Sequence, residues 1–354
     1  MWGITFADLR YRYRQFLIAV IGAGLVLAMA LLMAGLAGGF TTEIDQTVGG
    51  VGAQSWVLSD NAHGSIAGAQ VFPQSVAAVI AREPGVTKAS PLVILLQQSL
   101  RIGTGAKNTA TKNVEVFGVQ PGGLGDPAVT AGKPLSGPGQ VVVDVGAGVG
   151  PGTEVTVGAM PLRVVGQVTG RTMLAGVPII YMPLADAQAL ALGGRPLITA
   201  VVTRGVPASV PAGLSVSSNA QIEQSVLNNL AGAIATLVNA KAIMWLVAAV
   251  IVGSLLYVSA LQRVRDFAVI KALGSSSLAL FGSLALQAVV IALLAAAFGM
   301  IICNFMVGLF KQPIAIPASA FATLPLIAVA VGLVASLAAL RRVTGADPAM
   351  AFSG

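Results

Sequence analysis

Gly103-Thr104-Gly105-Ala106-Lys107-Asn108 sets a lysine behind glycines, the residue types that cradle a nucleotide phosphate. That chemistry needs G-x-x-x-x-G-K-[ST], whose backbone N–H groups surround phosphate while the final hydroxyl meets Mg²⁺. Here the earlier glycine is missing and Asn108 stands where the hydroxyl belongs. A second glycine run, Gly146-Ala147-Gly148-Val149-Gly150, follows the strand-like VVVDV as a dinucleotide-binding turn would. Pro151 displaces the required glycine, and another strand signal follows where a helix N-terminus would have to hold pyrophosphate. His63 is the single histidine and lies in a loop, so a histidine metal site or a Ser-His-Asp triad has no second one to draw on. None of these clusters supports covalent chemistry or ATP hydrolysis by this chain. The remaining dense cluster is QRVRDFAVIKALGSSS, Gln262 to Ser277. Val264, Phe267, Ala268 and Ile270 recur at near-helical spacing, an apolar ridge edged by Arg263, Arg265, Asp266 and Lys271. Such a ridge suits a groove on a partner, and it equally suits a solvated loop whose charges set topology.

The elements that position this cluster follow from composition. Only 9% of the 354 residues are charged, 56% are hydrophobic, and the formal net charge is +7. Soluble chains carry roughly 25% charged residues, so the deficit points to lipid. Between Thr41 and Leu237 ten Lys+Arg balance ten Asp+Glu. The excess charge sits instead beside apolar runs, at Arg10, Arg12 and Arg14, at Arg263, Arg265 and Lys271, and at Arg341 and Arg342. This is the positive-inside pattern and not a nucleic-acid footprint.

Four uncharged apolar stretches are long enough to cross the bilayer, which takes about 20 helical residues. They run from Phe16 to Ala37, Ala242 to Gln262, about Leu278 to Phe310, and Phe321 to Leu340. The first is too long for the apolar core of a cleaved signal peptide. The basic flanks place both termini and the 263–277 loop in the cytoplasm, with 41–237 and 311–320 outside. Trp245 and Tyr257 suit the outer and inner headgroup belts. Residues 1–15 space Phe6, Leu9 and Tyr13 as an amphipathic helix on the inner leaflet, with Arg10, Arg12 and Arg14 toward the headgroups. No ionisable residue lies inside the spans, which disfavours an ion-coupled transporter. Gln287 and Asn304 read as interhelical hydrogen-bonding groups, and Cys303 has no cysteine to pair with.

Two spans extend outward. Phe40, Ile44 and Val48 continue the first, giving the segment 16–48, until Gly49-Gly50; Ile222, Val226, Leu230, Ile234 and Leu237 lead into the second, giving 218–262. Ser218 with Gln221 predicts a capping box at that start. Between them, 49–217 alternates strand signals with Gly/Pro turns, plus helical runs at Gln74–Arg82 and Leu184–Leu192. The predicted fold is therefore four transmembrane α-helices with one large α+β extracytoplasmic domain between the first two. Spans 278–310 and 321–340, the link 311–320 and the tail 341–354 complete it. Gly35 and Gly39, four apart on the first span, suit a close contact with a second copy of the chain.

The 262–277 loop, with RRVTGADPAMAF at the C-terminus and LRYRYRQF near the N-terminus, resembles the FtsX/MacB-like permease family of ABC transporters. Arg263, Arg265, Val269, Ile270, Lys271, Ala272, Leu273 and Gly274 fit that family's loop pattern with a small shift in spacing; Asp266 stands near its acidic position and Ser275 replaces its usual alanine. The resemblance implies a multi-pass permease of the bacterial cytoplasmic membrane that binds no cofactor itself. ATP and Mg²⁺ would belong to a partner ATPase, present in two copies against two copies of this chain. Arg263, Arg265, Asp266, Phe267, Ile270, Lys271, Leu273 and Gly274 would form the coupling helix. The implied output is export or extraction of an amphiphile or peptide by mechanotransmission, with an extracytoplasmic adaptor as one further partner. The same machinery could instead regulate an extracytoplasmic cell-wall hydrolase. Amino-acid uptake is a third reading, which the long single external domain disfavours. No nucleic-acid partner is implied.

Overall fold

Apolar runs without charge become long helices, and Gly/Pro-punctuated runs become a β-rich unit. The computed structural model describes residues 13–62, 64–66, 70–103, 111–173, 175–261, 277–309 and 314–344. These fall into a helical unit, before Gly39 and after Gly232, and a β-rich head from Gly39 to Gly232.

The helical unit contains the first part of α1 (Tyr13–Gly50), α5 (Ala231–Leu261), α6 (Ser277–Val307) and α7 (Ala318–Thr344). Among the described residues three helices are long and apolar enough to cross a membrane: Phe16–Gly50, Ala231–Ser254 and Ala285–Val307. The fourth expected span falls in α7, where the described apolar stretch is Ala318–Ala330 and Pro325 lies inside the continuous helix. Small residues set the packing. A Cβ on Gly24 would meet Phe298 at 2.7 Å, and one on Gly299 would meet the Gly24 carbonyl at 2.8 Å, so α1 and α6 cross with their backbones nearly touching. Ala23, Leu27, Ala292, Ala295 and Ala296 are buried around that crossing. Gln287 is buried on α6, whereas Asn304 is exposed.

The head places thirteen strands in two sheets; β1 is Ser55–Ser59, β2 Phe72–Pro73, β3 Lys88–Ile102, β4 Thr111–Val119 and β5 Ala131–Gly132. Next come β6 (Gln140–Asp144), β7 (Glu154–Val157), β8 (Met160–Val168), β9 (Thr172–Met173) and β10 (Val177–Pro183). After helix α3 (Leu184–Leu192) come β11 (Leu197–Ile198), β12 (Ala200–Arg204) and β13 (Leu214–Ser218). The remaining helices are α2 (Val76–Ile80) and α4 (Asn219–Asn229). The main sheet runs β13-β1-β12-β3-β4-β10-β6-β8-β5, and β7 pairs with both β3 and β8. Strands β3-β4-β10-β6-β8-β7 thus close into a ring. The long β3 serves the ring with one half and the open flank with the other. A bulge between Leu95 and Gln98 divides the halves, with Gln97 at φ 55°; such a bulge bends and twists the strand.

The sheet is buried on both faces. Val141 and Val143 of β6 and Ile180 and Met182 of β10 enter one core, while Val142, Ile179 and Tyr181 enter the other. That is why these strands read as unbroken apolar runs rather than alternation. The second core also takes in Ile44 and Val48 of α1 and Ile222 and Val226 of α4. Both helical extensions are therefore built into the head.

Candidate functional site

The junction between α1 and the head is the best-defined polar cluster beside a membrane-spanning helix. Glu43, Gln46 and Thr47 lie three and four residues apart on α1, so they share a face, with Ile44 and Val48 packed into the core beside them. The Glu43 carboxylate accepts from Gly176 N–H at 2.7 Å and Ala175 N–H at 3.1 Å. Ala175 sits at φ 72° and Gly176 at φ 83°, the left-handed region that aims both N–H groups at one carboxylate. The Thr47 hydroxyl donates to the Thr172 carbonyl at 2.6 Å. Arg171 donates from its guanidinium to the Gln46 carbonyl at 2.6 Å and from its backbone N–H to Asp144 at 2.8 Å. Asp144 also accepts from Gly146 N–H, and caps the short turn after β6. A Cβ at Gly50 would meet the Arg171 guanidinium, the far end of a flexible side chain, so a larger residue there would displace that guanidinium from the Gln46 carbonyl. Arg171, Thr172, Ala175 and Gly176 thus clasp the head end of α1. Burial raises the Glu43 pKa, and its hydrogen bonds from Thr172, Gly176 and Ala175 partly offset that shift. Nothing in this clasp is arranged for bond making; its geometry holds a helix.

The second helical extension is anchored separately. Ser218 accepts from Gln221 N–H at 3.3 Å and donates its own N–H to the Gln221 side chain at 2.9 Å, the capping box read from the sequence. Trp56 Nε1–H donates to Asn219 at 2.8 Å, and Asn219 donates to the Ala53 carbonyl at 2.9 Å. This extension differs from the continuous helix expected over 218–262. It stops at Asn229, Leu230 leaves helical geometry at φ −94° and ψ 0°, and α5 starts afresh at Ala231. Asn228 and Asn229 are poor helix formers whose side chains compete for the backbone, and Asn229 donates its side-chain amide to Ser65 of the head at 3.1 Å.

Arg14, expected at the membrane surface, is exposed in the first turn of α1, beside the Tyr13 ring at 5.9 Å. Arg10, Arg12, His63 and the residues expected to form the coupling helix, Arg263, Arg265, Asp266, Phe267, Ile270, Lys271, Leu273 and Gly274, lie outside the described residues. Gly35 and Gly39 are both buried within one chain. At Gly35 the close neighbour is intrachain: a Cβ would meet Ile314 at 2.6 Å and Ile316 at 2.9 Å, and Ala315 N–H donates to the Gly35 carbonyl at 3.1 Å. The small surface at Gly35 is therefore used to seat the segment leading into α7. Sequence reasoning missed the Glu43 clasp, although a glutamate and a threonine four apart beside buried Ile44 and Val48 were a readable signal.

Residues 240–348 match the FtsX-like permease C-terminal family. Over 347 residues the chain is 40% identical to Mb2592, an uncharacterized ABC transporter permease of Mycobacterium bovis, with 98% of each chain covered. The chain belongs to the FtsX-like permease family of ABC transporters. A second permease of this kind, Rv0072 of Mycobacterium tuberculosis, is 39% identical over 348 residues, again covering 98% of both chains. Membership in the FtsX-like family makes this a membrane protein whose family works with an ATPase. Two solved structures resemble it in part. The periplasmic region of MacB from Actinobacillus actinomycetemcomitans matches with a TM-score of 0.37 and 15% identity, over 52% of this chain and 98% of that one. The extracellular domain of the noncanonic ABC-type transporter YknZ from Gram-positive bacteria gives 0.33 and 12%, over 47% and 99%.

Proposed function

We propose that this FtsX-like permease relays work done by a cytoplasmic ATPase to its extracytoplasmic head, and so exports or extracts an amphiphile or peptide. Two copies of the chain pair with two copies of the ATPase, which binds ATP and Mg²⁺. Four spans, the fourth in α7, leave both termini on the cytoplasmic side. Arg263, Arg265, Asp266, Phe267, Ile270, Lys271, Leu273 and Gly274 dock into the ATPase as the coupling helix.

The observation that carries this reading is the continuity of α1. Its 38 residues, Tyr13–Gly50, run without a break to the Glu43 clasp, about 57 Å at 1.5 Å per residue and longer than the roughly 30 Å of bilayer hydrocarbon. A helix held at its outer end by Glu43, Gln46 and Thr47 passes displacement on instead of fraying.

The test is co-purification with the ATPase followed by turnover assays in lipid discs. Asp266→Ala and Leu273→Ala should lose permease-dependent ATPase stimulation while the chain still reaches the membrane. Full stimulation in both variants would end the coupling-helix assignment. Recovery of a cell-wall hydrolase on the head, with no amphiphile moved, would replace transport by regulation as the output.

A further inference from the structure

Residues 314–317, which lead into α7, lie across two glycines of α1 within the helical unit. Gly35 and Gly38 are three residues apart and so share a face. A Cβ on Gly35 would meet Ile314 at 2.6 Å and Ile316 at 2.9 Å; one on Gly38 would run into the Ala315 carbonyl and meet Pro317 at 3.3 Å. The Ala315 N–H donates to the Gly35 carbonyl at 3.1 Å, and the Pro317 carbonyl accepts from Ala320 N–H at 2.8 Å. Backbone hydrogen bonds thus tie the segment to α1 on one side and to the first turn of α7 on the other.

These contacts fit one axial position of α1. A one-turn slide, about 5.4 Å or three to four residues, returns the same face of a helix to its neighbour, and ratchets of that size carry some packed elements past each other. Toward the C-terminal end of α1, such a slide brings Leu31 or Leu32 to the place of Gly35, and the four-residue step also brings Ala34 to that of Gly38. Toward the N-terminal end, Thr41 or Thr42 takes the place of Gly38. Each shift puts a Cβ where the seated chain has none. At Gly38 the obstacle is a backbone carbonyl, which no change of rotamer clears.

We propose that residues 314–317 act as a register strap, seated on Gly35 and Gly38, that fixes the axial position of α1 against α7. On this account α1 moves together with α7 and does not slide past it as a piston. The strap itself needs no ATPase; only its consequence for coupling rests on the relay reading.

The full chain carrying Cys303→Ala is placed in lipid discs, alone and with the ATPase hydrolysing ATP. Ile316→Cys should form a disulfide with Gly35→Cys, whose Cβ would stand 3.8 Å from the Ile316 Cα. It should form none with Leu31→Cys, one turn away, although cysteine is smaller than the leucine it replaces. No disulfide from Gly35→Cys, or one from Leu31→Cys in either condition, would overturn the proposal. Amide exchange at Ala315 should quicken about tenfold in Gly38→Val, the factor that about 1.4 kcal/mol corresponds to; unchanged exchange would mean the segment is not seated there. With the ATPase, the Gly35→Cys/Ile316→Cys pair should stimulate turnover equally when oxidised and reduced. Stimulation lost on oxidation and restored by reduction would show that the strap has to release, and would also overturn it. Failure of the parent to stimulate the ATPase would end the relay reading, and the cross-links and the Ala315 exchange would then decide the strap alone.

Discussion

Glu43 and Glu115 are buried carboxylates that each accept backbone N–H groups while burial raises their pKa. Removing the Glu43 acceptor strands two backbone N–H groups that cannot turn to water without opening the loop. Glu43→Ala should cost about 2 kcal/mol, read as a lowered melting temperature with faster amide exchange at Ala175 and Gly176. Unchanged exchange at those amides would mean the clasp is not held by this side chain. Glu115 accepts from the Gln97 N–H at 2.8 Å at the β3 bulge, and desolvation by burial lifts its pKa from 4.5 to about 7. Between those two values the unfolded chain releases a proton that the folded chain keeps, so rising pH removes stability across that window. Glu115→Gln keeps an acceptor for Gln97 without the charge. It should match the parent near pH 4.5 and become more stable by about 1–3 kcal/mol above pH 7. Melts at the two ends of that range check the sign, and a variant less stable at the upper end would contradict it.

Elements show how much was readable in advance. The predicted run at Leu184–Leu192 is helix α3, because Pro183 fixes the entry and Gly193, at φ 62°, closes the end. The Ser218–Gln221 box is likewise as predicted, since capping is decided by residues three apart. What escaped the sequence depends on partners distant in the chain. The ring closure through β7 joins Leu100–Ile102 to Val155–Val157, and the clasp joins residue 43 to residue 176. The four-residue edge of periodicity between Val226 and Leu230 hid a helix break, because the apolar pattern continues while the backbone turns. The role of Gly35 was hidden in the same way, since a small residue signals close approach without naming what approaches. The α1–α6 crossing supplies a test at this scale. Gly299→Val must push against the Gly24 carbonyl, so it should lower the melting temperature of the helical unit by several degrees. Gly232→Ala, with nothing within 4 Å of its Cβ, should be neutral or slightly stabilising. Equal tolerance at both positions would mean the two helices do not approach so closely.

For the whole molecule, the two extensions give the head two different attachments. One is an uninterrupted helix locked by charge-assisted hydrogen bonds; the other breaks at Leu230. On the proposed relay, displacement would pass along α1 and be accommodated at Leu230. Filling that joint by Asn229→Ala with Leu230→Ala should straighten the second extension and reduce ATPase coupling, while a Gly-Gly insertion after Phe40 should abolish it. The most direct measurement is the distance between the heads in the assembled complex. Spin labels placed at Arg163→Cys, exposed on β8, with buried Cys303 replaced by alanine, report it by pulsed electron resonance. The relay predicts a distance distribution that shifts between nucleotide-free and ATP-bound states and stops shifting in the Phe40 insertion. A distribution that ignores nucleotide in the intact complex would contradict it.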